Sequence, residues 1–272
     1  MRRQQLARRA RLVAPRVLPT VPFVALLVVW IVGWQIYRPE LVTLPSVSRV
    51  ISTFTHLMGN GELVDNVVAS LGRWALGFAV GAVTGLILGI MVGLSPLLFR
   101  CLDPIVTFFT AMSGIVWLPI AIVWFGLGGV TVTFIIWNSV FFLVFANTML
   151  GVRSVPTVLE DGLRTLGANR TQVILRVIVP GSLPHVMQGM RMGVGFGWRA
   201  LIAAEIIGAT TGVGAMIYQA KEYFRSDVII IGVVVLAVIG LALDVAVLAP
   251  IERRTIVRWG LVTENTGRVR VD

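Results

Sequence analysis

A few charged side chains fall inside stretches that are otherwise apolar: Arg73, Arg191, Arg199, Glu205 and Asp244. Charge in hydrocarbon is costly, so such residues pair with one another, line water or handle an ion. Arg73 and Glu205 lie toward the same end of their stretches and are expected to form one ion pair. Arg191 and Asp244 lie toward the other end and are expected to form a second. Arg199 sits deeper, beside Trp198, where an inter-helix hydrogen bond or a snorkelling stem is the plainest role. Nothing here forms acid–base or nucleophilic machinery. A membrane-embedded enzyme would need clustered His, Asp or Glu, and none appears. His56 and His185 are far apart and read as ordinary loop residues. Cys101 stands alone, so the chain offers no intrachain disulfide and no metal site. No G-x-x-x-x-G-K-S/T segment occurs, so any ATP and magnesium belong to a partner and the chain needs no cofactor of its own.

These residues are carried by long apolar runs. Of 272 residues, 57% are hydrophobic and 13% charged, with mean hydropathy +0.89; a soluble domain carries about 25% charge. Runs near the roughly 20 residues that a spanning helix needs occur at 18–36, 66–93, 104–125, 130–150, 185–208 and 228–250. The expected fold class is therefore an all-α polytopic membrane protein with six transmembrane helices, because open strand edges cannot face lipid. Residues 38–65 read as an amphipathic loop. The third span, with Pro119 between Gly114 and Gly126, is expected to be kinked. In the second span Gly77, Gly81, Gly85, Gly89 and Gly93 recur every four residues, a face for close helix packing or, alternatively, a gap along a permeation path.

Net charge is +10. With the N-terminus inside, the segments 1–20, 94–103, 151–184 and 251–272 hold 16 of the 23 Lys and Arg residues. The positive-inside rule thus places both termini and 151–184 in the cytoplasm. The arginines act as topology signals, and nucleic-acid binding is not expected. Residues 1–20 form a basic N-terminal segment, 21–250 the transmembrane domain, and 251–272 a basic tail, with lipid-surface contact the modest reading of both ends.

The charged stretch EDGLRTLGANRTQVILRVIVPGSLP, residues 160–184, interrupts the apolar pattern. Pro156 opens a helix-compatible piece with Glu160 and Asp161 near its N-terminus, where negative charge suits the dipole. Leu159, Leu163 and Leu166 lie at i, i+4 and i+7. Gly167 permits a turn, and a second amphipathic piece bearing Arg170 and Arg176 runs to Pro180 and Pro184. A solvated linker needs neither two apolar faces nor a glycine hinge.

Asp161-Gly162-Leu163, then Gly167, then Val177, Val179 and Pro180 keep the spacing of the cytoplasmic loop of ABC importer permeases, E-A-A, three residues, G, nine residues, I-x-L-P. LPSVSRV (44–50), SLGRWALGF (70–78), GFGWRALIAAEIIGATTGVGAMI (195–217), FRSDVIIIG (224–232) and IERRTIVRWG (251–260) extend the likeness. The chain resembles the nitrate/sulfonate/taurine branch, nearest to its taurine-type members. The resemblance implies a type I importer permease in the cell membrane, paired with a second copy. It also implies two cytoplasmic ATPases and an external substrate-binding protein. It implies a coupling helix around 161–170, with Leu163 and Leu166 in an ATPase groove, Arg164 and Arg170 at its rim, and Asp161, Gly162, Gly167 and Pro180 at motif positions. Arg199 departs from the branch and would lie on the translocation path, where a cation suits an anionic or sulfonate substrate. Trp198 and Trp117 are further path candidates. The implied cargo is a small anionic organic such as taurine; nitrate, bicarbonate or a pyrimidine precursor is the alternative within the branch. A secondary transporter, which would show internal repeats, is the remote one.

Overall fold

The computed structural model describes residues 21–37 and 44–244. The basic segments 1–20 and 251–272 lie outside the described residues. Every regular element among the described residues is helical. The first, α1 (Val21–Tyr37), coincides with the first predicted span. The expected loop at 38–65 is largely a helix, α2 (Val47–Gly59), which Ser46 caps by accepting from the Arg49 N–H at 3.3 Å. Its amphipathic pattern has helical period, with Leu57 buried and Ile51, Phe54 and Met58 exposed. A long helix, α3 (Glu62–Gly93), follows, with Glu62 and Asp65 in its first turn.

The predicted third span is broken. After α4 (Pro96–Ala111) the chain passes through a 3₁₀ turn (Gly114–Trp117) into α5 (Leu118–Phe125), and the two limbs meet at 89°. The break falls at Met112–Gly114 rather than at Pro119. Pro119 occupies the first turn of α5, where its missing N–H costs nothing.

Then come α6 (Gly129–Arg153), α7 (Thr157–Thr165), α8 (Arg170–Val173), a π turn (Ile174–Ile178) that runs into α9 (Val179–Gly208), α10 (Val213–Glu222) and α11 (Ser226–Leu243). The π turn comes where Pro180 withdraws its N–H and would crowd the carbonyl one turn earlier. Neither histidine is in a loop: His56 lies in α2 and His185 in α9. The segment between the fifth and sixth apolar runs contains α10, bent 41° from the helix before it.

Among the described residues three helices, α3, α6 and α11, are each long and apolar enough to cross a membrane, and up to five spans result if each bent pair counts as one. The core is organised around α6. A Cβ added at Gly77 would lie 2.8 Å from Ile136 Cβ, at Gly85 2.9 Å from the Phe141 carbonyl, at Gly89 2.6 Å from Thr148 Cβ, and at Gly93 2.7 Å from Val152 Cβ. The glycine stripe of α3 is thus a packing face, parallel and in register with α6, not a gap. On the other side α9 runs antiparallel. A Cβ at Gly189 would meet Asn147 Cβ at 2.8 Å, and one at Gly197 would meet Val140 Cγ2 at 2.8 Å. Helices can approach this closely only where side chains are absent.

Candidate functional site

At the end of the bundle away from α7, Glu205 of α9 is fully buried. Arg73 Nη1 of α3 donates to its Oε1 at 2.8 Å, the Ser70 hydroxyl to its Oε2 at 2.8 Å, and the Gly214 N–H to the same Oε2 at 3.0 Å. Arg73 also donates to the Thr211 carbonyl at 2.6 Å and to the Thr211 hydroxyl. Asn66 accepts from the Gly212 N–H at 2.7 Å. Gly212 has φ +113°, and a side chain there would run into the Glu205 carboxylate. The carboxylate therefore ties α3, α9 and the start of α10 together. Arg191 and Asp244 are both exposed, on α9 and just past α11.

Midway along the bundle, the break between α4 and α5 opens a cavity of about 590 Å³ against α6 and α9. Met192, Phe196, Arg199, Ala200 and Ala203 present one stripe of α9 to it. Among the described residues no acid pairs with Arg199; its guanidinium carbon lies 5.5 Å from the Phe196 ring centroid. Trp198 does not line the cavity. Neighbours on a helix point about 100° apart, so it turns into the core, edge-on to Trp74 at 6.4 Å and against Gly240. Trp117 stands behind the wall, 5.7 Å from Phe109, without reaching the lining.

At the far end, α7 closes with a Schellman motif: Gly167 N–H donates to the Arg164 carbonyl at 2.9 Å and Ala168 N–H to the Leu163 carbonyl at 3.1 Å. Gly167 has φ +84°, the left-handed position that the motif requires. Asn169 and Gln172 then form a capping box that starts α8. The expected single helix over 161–170 is therefore Thr157–Thr165, a turn, and a new helix beginning at Arg170. Leu163 packs inward against Val152, Val173 and Ile178, so it is not on the free face. The exposed apolar groups are Val158, Leu159 and Leu166. Asp161, Gly162 and Arg170 are exposed; Arg164 is exposed and reaches Glu160 at 3.8 Å. Pro180 is half-buried in the first turn of α9.

The family described as binding-protein-dependent transport system inner membrane component matches residues 81–255. The chain belongs to this family. It is 34% identical over 237 residues to the taurine transport system permease protein of Escherichia coli K12, covering 84% of this chain and 85% of that one. To the nitrate import permease protein of Leptolyngbya laminosa it is 29% identical over 211 residues, 77% of this chain and 76% of that one. Its fold matches the crystal structure of an amino acid ABC transporter with TM-score 0.59 at 16% identity, over 74% of this chain and 97% of that one. The protein is an ABC importer permease, an inner-membrane component with the type I fold.

Several groups in this permease escape a reading of its sequence. Ser70 and Asn66 complete the carboxylate cluster, yet small polar residues on helices usually satisfy themselves. Asp227 at the start of α11 accepts from the Thr53 hydroxyl at 2.7 Å and lies 3.7 Å from Arg49 Nε. Asn138 lines the cavity at 8% exposure. The glycines of α9 did carry a signal, the same spacing of four as in α3.

Proposed function

We propose that this permease forms the path for a small anionic organic solute, taurine or another alkanesulfonate, and moves it by alternating access. Both termini and residues 151–184 face the cytoplasm. Two copies pair around the path, an external binding protein delivers the solute, and cytoplasmic ATPases holding ATP and magnesium supply the energy, since this chain has no phosphate-binding loop of its own.

The observation that carries the driven-transport reading is α7. It exposes Val158, Leu159 and Leu166 on a helix fixed at its end by Gly167, while Leu163 anchors it to the body of the permease. Apolar groups on a rigid helix outside the bundle suit a groove in a partner, so motion of that partner is passed to α8 and α9. The anionic cargo is supported by Arg199, a cation without an acidic partner among the described residues, facing a mid-bundle cavity. The likeness to a taurine permease favours a sulfonate; the likeness to a nitrate permease keeps an inorganic oxyanion as the second reading.

The test is ATPase activity of the reconstituted permease–ATPase complex with binding protein loaded with taurine or with nitrate. Stimulation by taurine alone supports the reading, and stimulation by nitrate alone selects the second. A chain with which no ATPase associates would sink both.

A further inference from the structure

The cavity at the α4–α5 break has two chemically distinct levels. Thr110 and Ser139 commit their hydroxyl protons to their own helices, donating to the Val106 carbonyl at 2.7 Å and the Ile135 carbonyl at 2.9 Å. Asn138 is different. Its side chain is more than nine-tenths buried, lines the cavity, and makes no hydrogen bond among the described residues. Among the described residues the fully buried polar side-chain atoms left without a partner are Trp74 Nε1 and Thr148 Oγ1, so the Asn138 carboxamide opens onto the cavity and is free to bond what fills it. Arg199 adds a guanidinium with no acid opposite. The register of α9 on α6, in which Gly197 meets Val140 and Ile136 and Gly189 meets Asn147, sets Arg199 near the level of Asn138.

One helical turn toward the α7 end the lining becomes apolar. Phe142 stacks on Phe109 with centroids 5.0 Å apart, and Met192 stands on the α9 side. Four residues separate Asn138 from Phe142, roughly 6 Å along a helix axis. That is the length of a two- or three-carbon chain beyond an anionic head. Among the described residues no carboxylate lines the cavity, so an ammonium on that chain would find no counter-charge from them.

We infer that Asn138 and Arg199 form the polar end of a transit site for one organic monoanion, with Phe109, Phe142 and Met192 receiving its uncharged carbon body. The inference rests on the importer reading above and narrows it. The site takes a short unsubstituted alkanesulfonate or carboxylate ahead of zwitterionic taurine, and ahead of a bare oxyanion such as nitrate. Nitrate would satisfy the donors and leave the aromatic level filled with water. The donors suit a sulfonate, because guanidinium and amide N–H groups both aim at oxygen acceptors on one charged group.

The test is saturation-transfer NMR on the complete permease–ATPase complex in lipid nanodiscs, without binding protein, using ethanesulfonate, taurine and nitrate as probes. The expected result is transfer to the ethanesulfonate methyl protons, at least threefold weaker transfer to taurine, and displacement by nitrate only in large excess. Arg199→Gln and Asn138→Leu should each reduce the ethanesulfonate signal at least fivefold, while Arg199→Lys keeps more than half of it. All three variants should co-purify with the ATPase in parental amount and unfold within about 3 °C of the parent in the same nanodiscs, which separates loss of the site from loss of the fold. An unchanged signal in Arg199→Gln and Asn138→Leu overturns the inference. So does a taurine signal equal to that of ethanesulfonate, or equipotent displacement by nitrate. If ethanesulfonate gives no signal while a loaded binding protein still stimulates the ATPase, the importer reading stands and this site falls. If no anion-loaded binding protein stimulates the ATPase, the importer reading itself falls.

Discussion

Ser70 and Glu205 meet at 2.8 Å, and the same Ser70 oxygen accepts from the Val213 N–H at 2.9 Å. One hydroxyl thus links the buried carboxylate to the first residue of α10. With Arg73 and the Gly214 N–H, it replaces the water that Glu205 would otherwise hold. Removing one member of a buried, hydrogen-bonded pair strands the other charge and costs about 3–5 kcal/mol. Glu205→Ala should therefore lower the melting temperature of the purified permease markedly and reduce its amount in the membrane. Ser70→Ala should cost less, about 1.5–3 kcal/mol, since it removes one hydrogen bond to a charged group. Thermal unfolding in a fixed detergent ranks the two; a Glu205→Ala permease as stable as its parent would show that the cluster does not hold the fold.

The glycine stripe gives a contrast within one helix. At Gly89 a Cβ would lie 2.6 Å from Thr148 Cβ; at Gly72, on the same helix, it would meet nothing within 4 Å. Gly89→Ala should force α3 and α6 apart and destabilise by about 1–3 kcal/mol. Gly72→Ala should stabilise by about 1 kcal/mol through helix propensity alone. Opposite signs in the same unfolding assay are the expected outcome, and equal effects would mean that the stripe is not a contact face.

The packing of α3 is legible from five glycines at a spacing of four, and the break after α4 from its flanking glycines. Arg73 and Glu205 are legible as partners because each is a costly charge at the same depth. The errors have a common cause: periodicity shows which residues share a face but not what that face meets. Leu163 and Leu166 share an apolar stripe, yet the Schellman turn at Gly167 leaves Leu163 against Val173 and Leu166 outside. Trp198 and Arg199 adjoin in sequence and diverge in space. Asn138 carries no signal in an apolar run, because the cavity it faces is made by residues of α4 and α9 distant in sequence, and α10 is hidden because its ten residues follow directly on the turn after α9.

The two leucines of α7 should separate cleanly. Leu166 is 85% exposed, so Leu166→Asp should leave the melting temperature of the isolated permease unchanged. Its cost should appear as loss of ATPase co-purification of at least tenfold. Leu163→Ala empties part of a packed cluster and should lower stability by about 2 kcal/mol, within the range for a partly buried leucine. Pull-down with the cognate ATPase and unfolding of the permease alone measure the two effects; a Leu166→Asp permease that still retains its ATPase would remove α7 as the grip.

Gly167 and Gly162 should also part company. A residue with a Cβ at φ +84° is strained, and Gly167→Ala should cost about 1 kcal/mol and disturb the turn into α8. Gly162 is helical with open space where a Cβ would go, so Gly162→Ala should stiffen α7. Hydrogen exchange of the α7 amides should rise in the first variant and fall in the second. Faster exchange in both would mean that α7 is not closed by its turn.

The amphipathic helix α2 is held at one point by unequal contacts. Asp227 is 4% exposed, and its carboxylate accepts from the Thr53 hydroxyl at 2.7 Å, while Arg49 approaches only to 3.7 Å with a half-exposed side chain. A hydrogen bond to a buried charge contributes about 1.5–3 kcal/mol; an exposed ion pair contributes about 0–1 kcal/mol. Thr53→Val keeps the shape and removes the donor, so it should loosen α2 far more than Arg49→Ala does. Proteolysis at Gly59–Gly61, where α2 gives way to α3, should accelerate at least tenfold in Thr53→Val and less than threefold in Arg49→Ala. The reverse order would mean that long-range charge, rather than the short hydrogen bond, fastens α2 to α11.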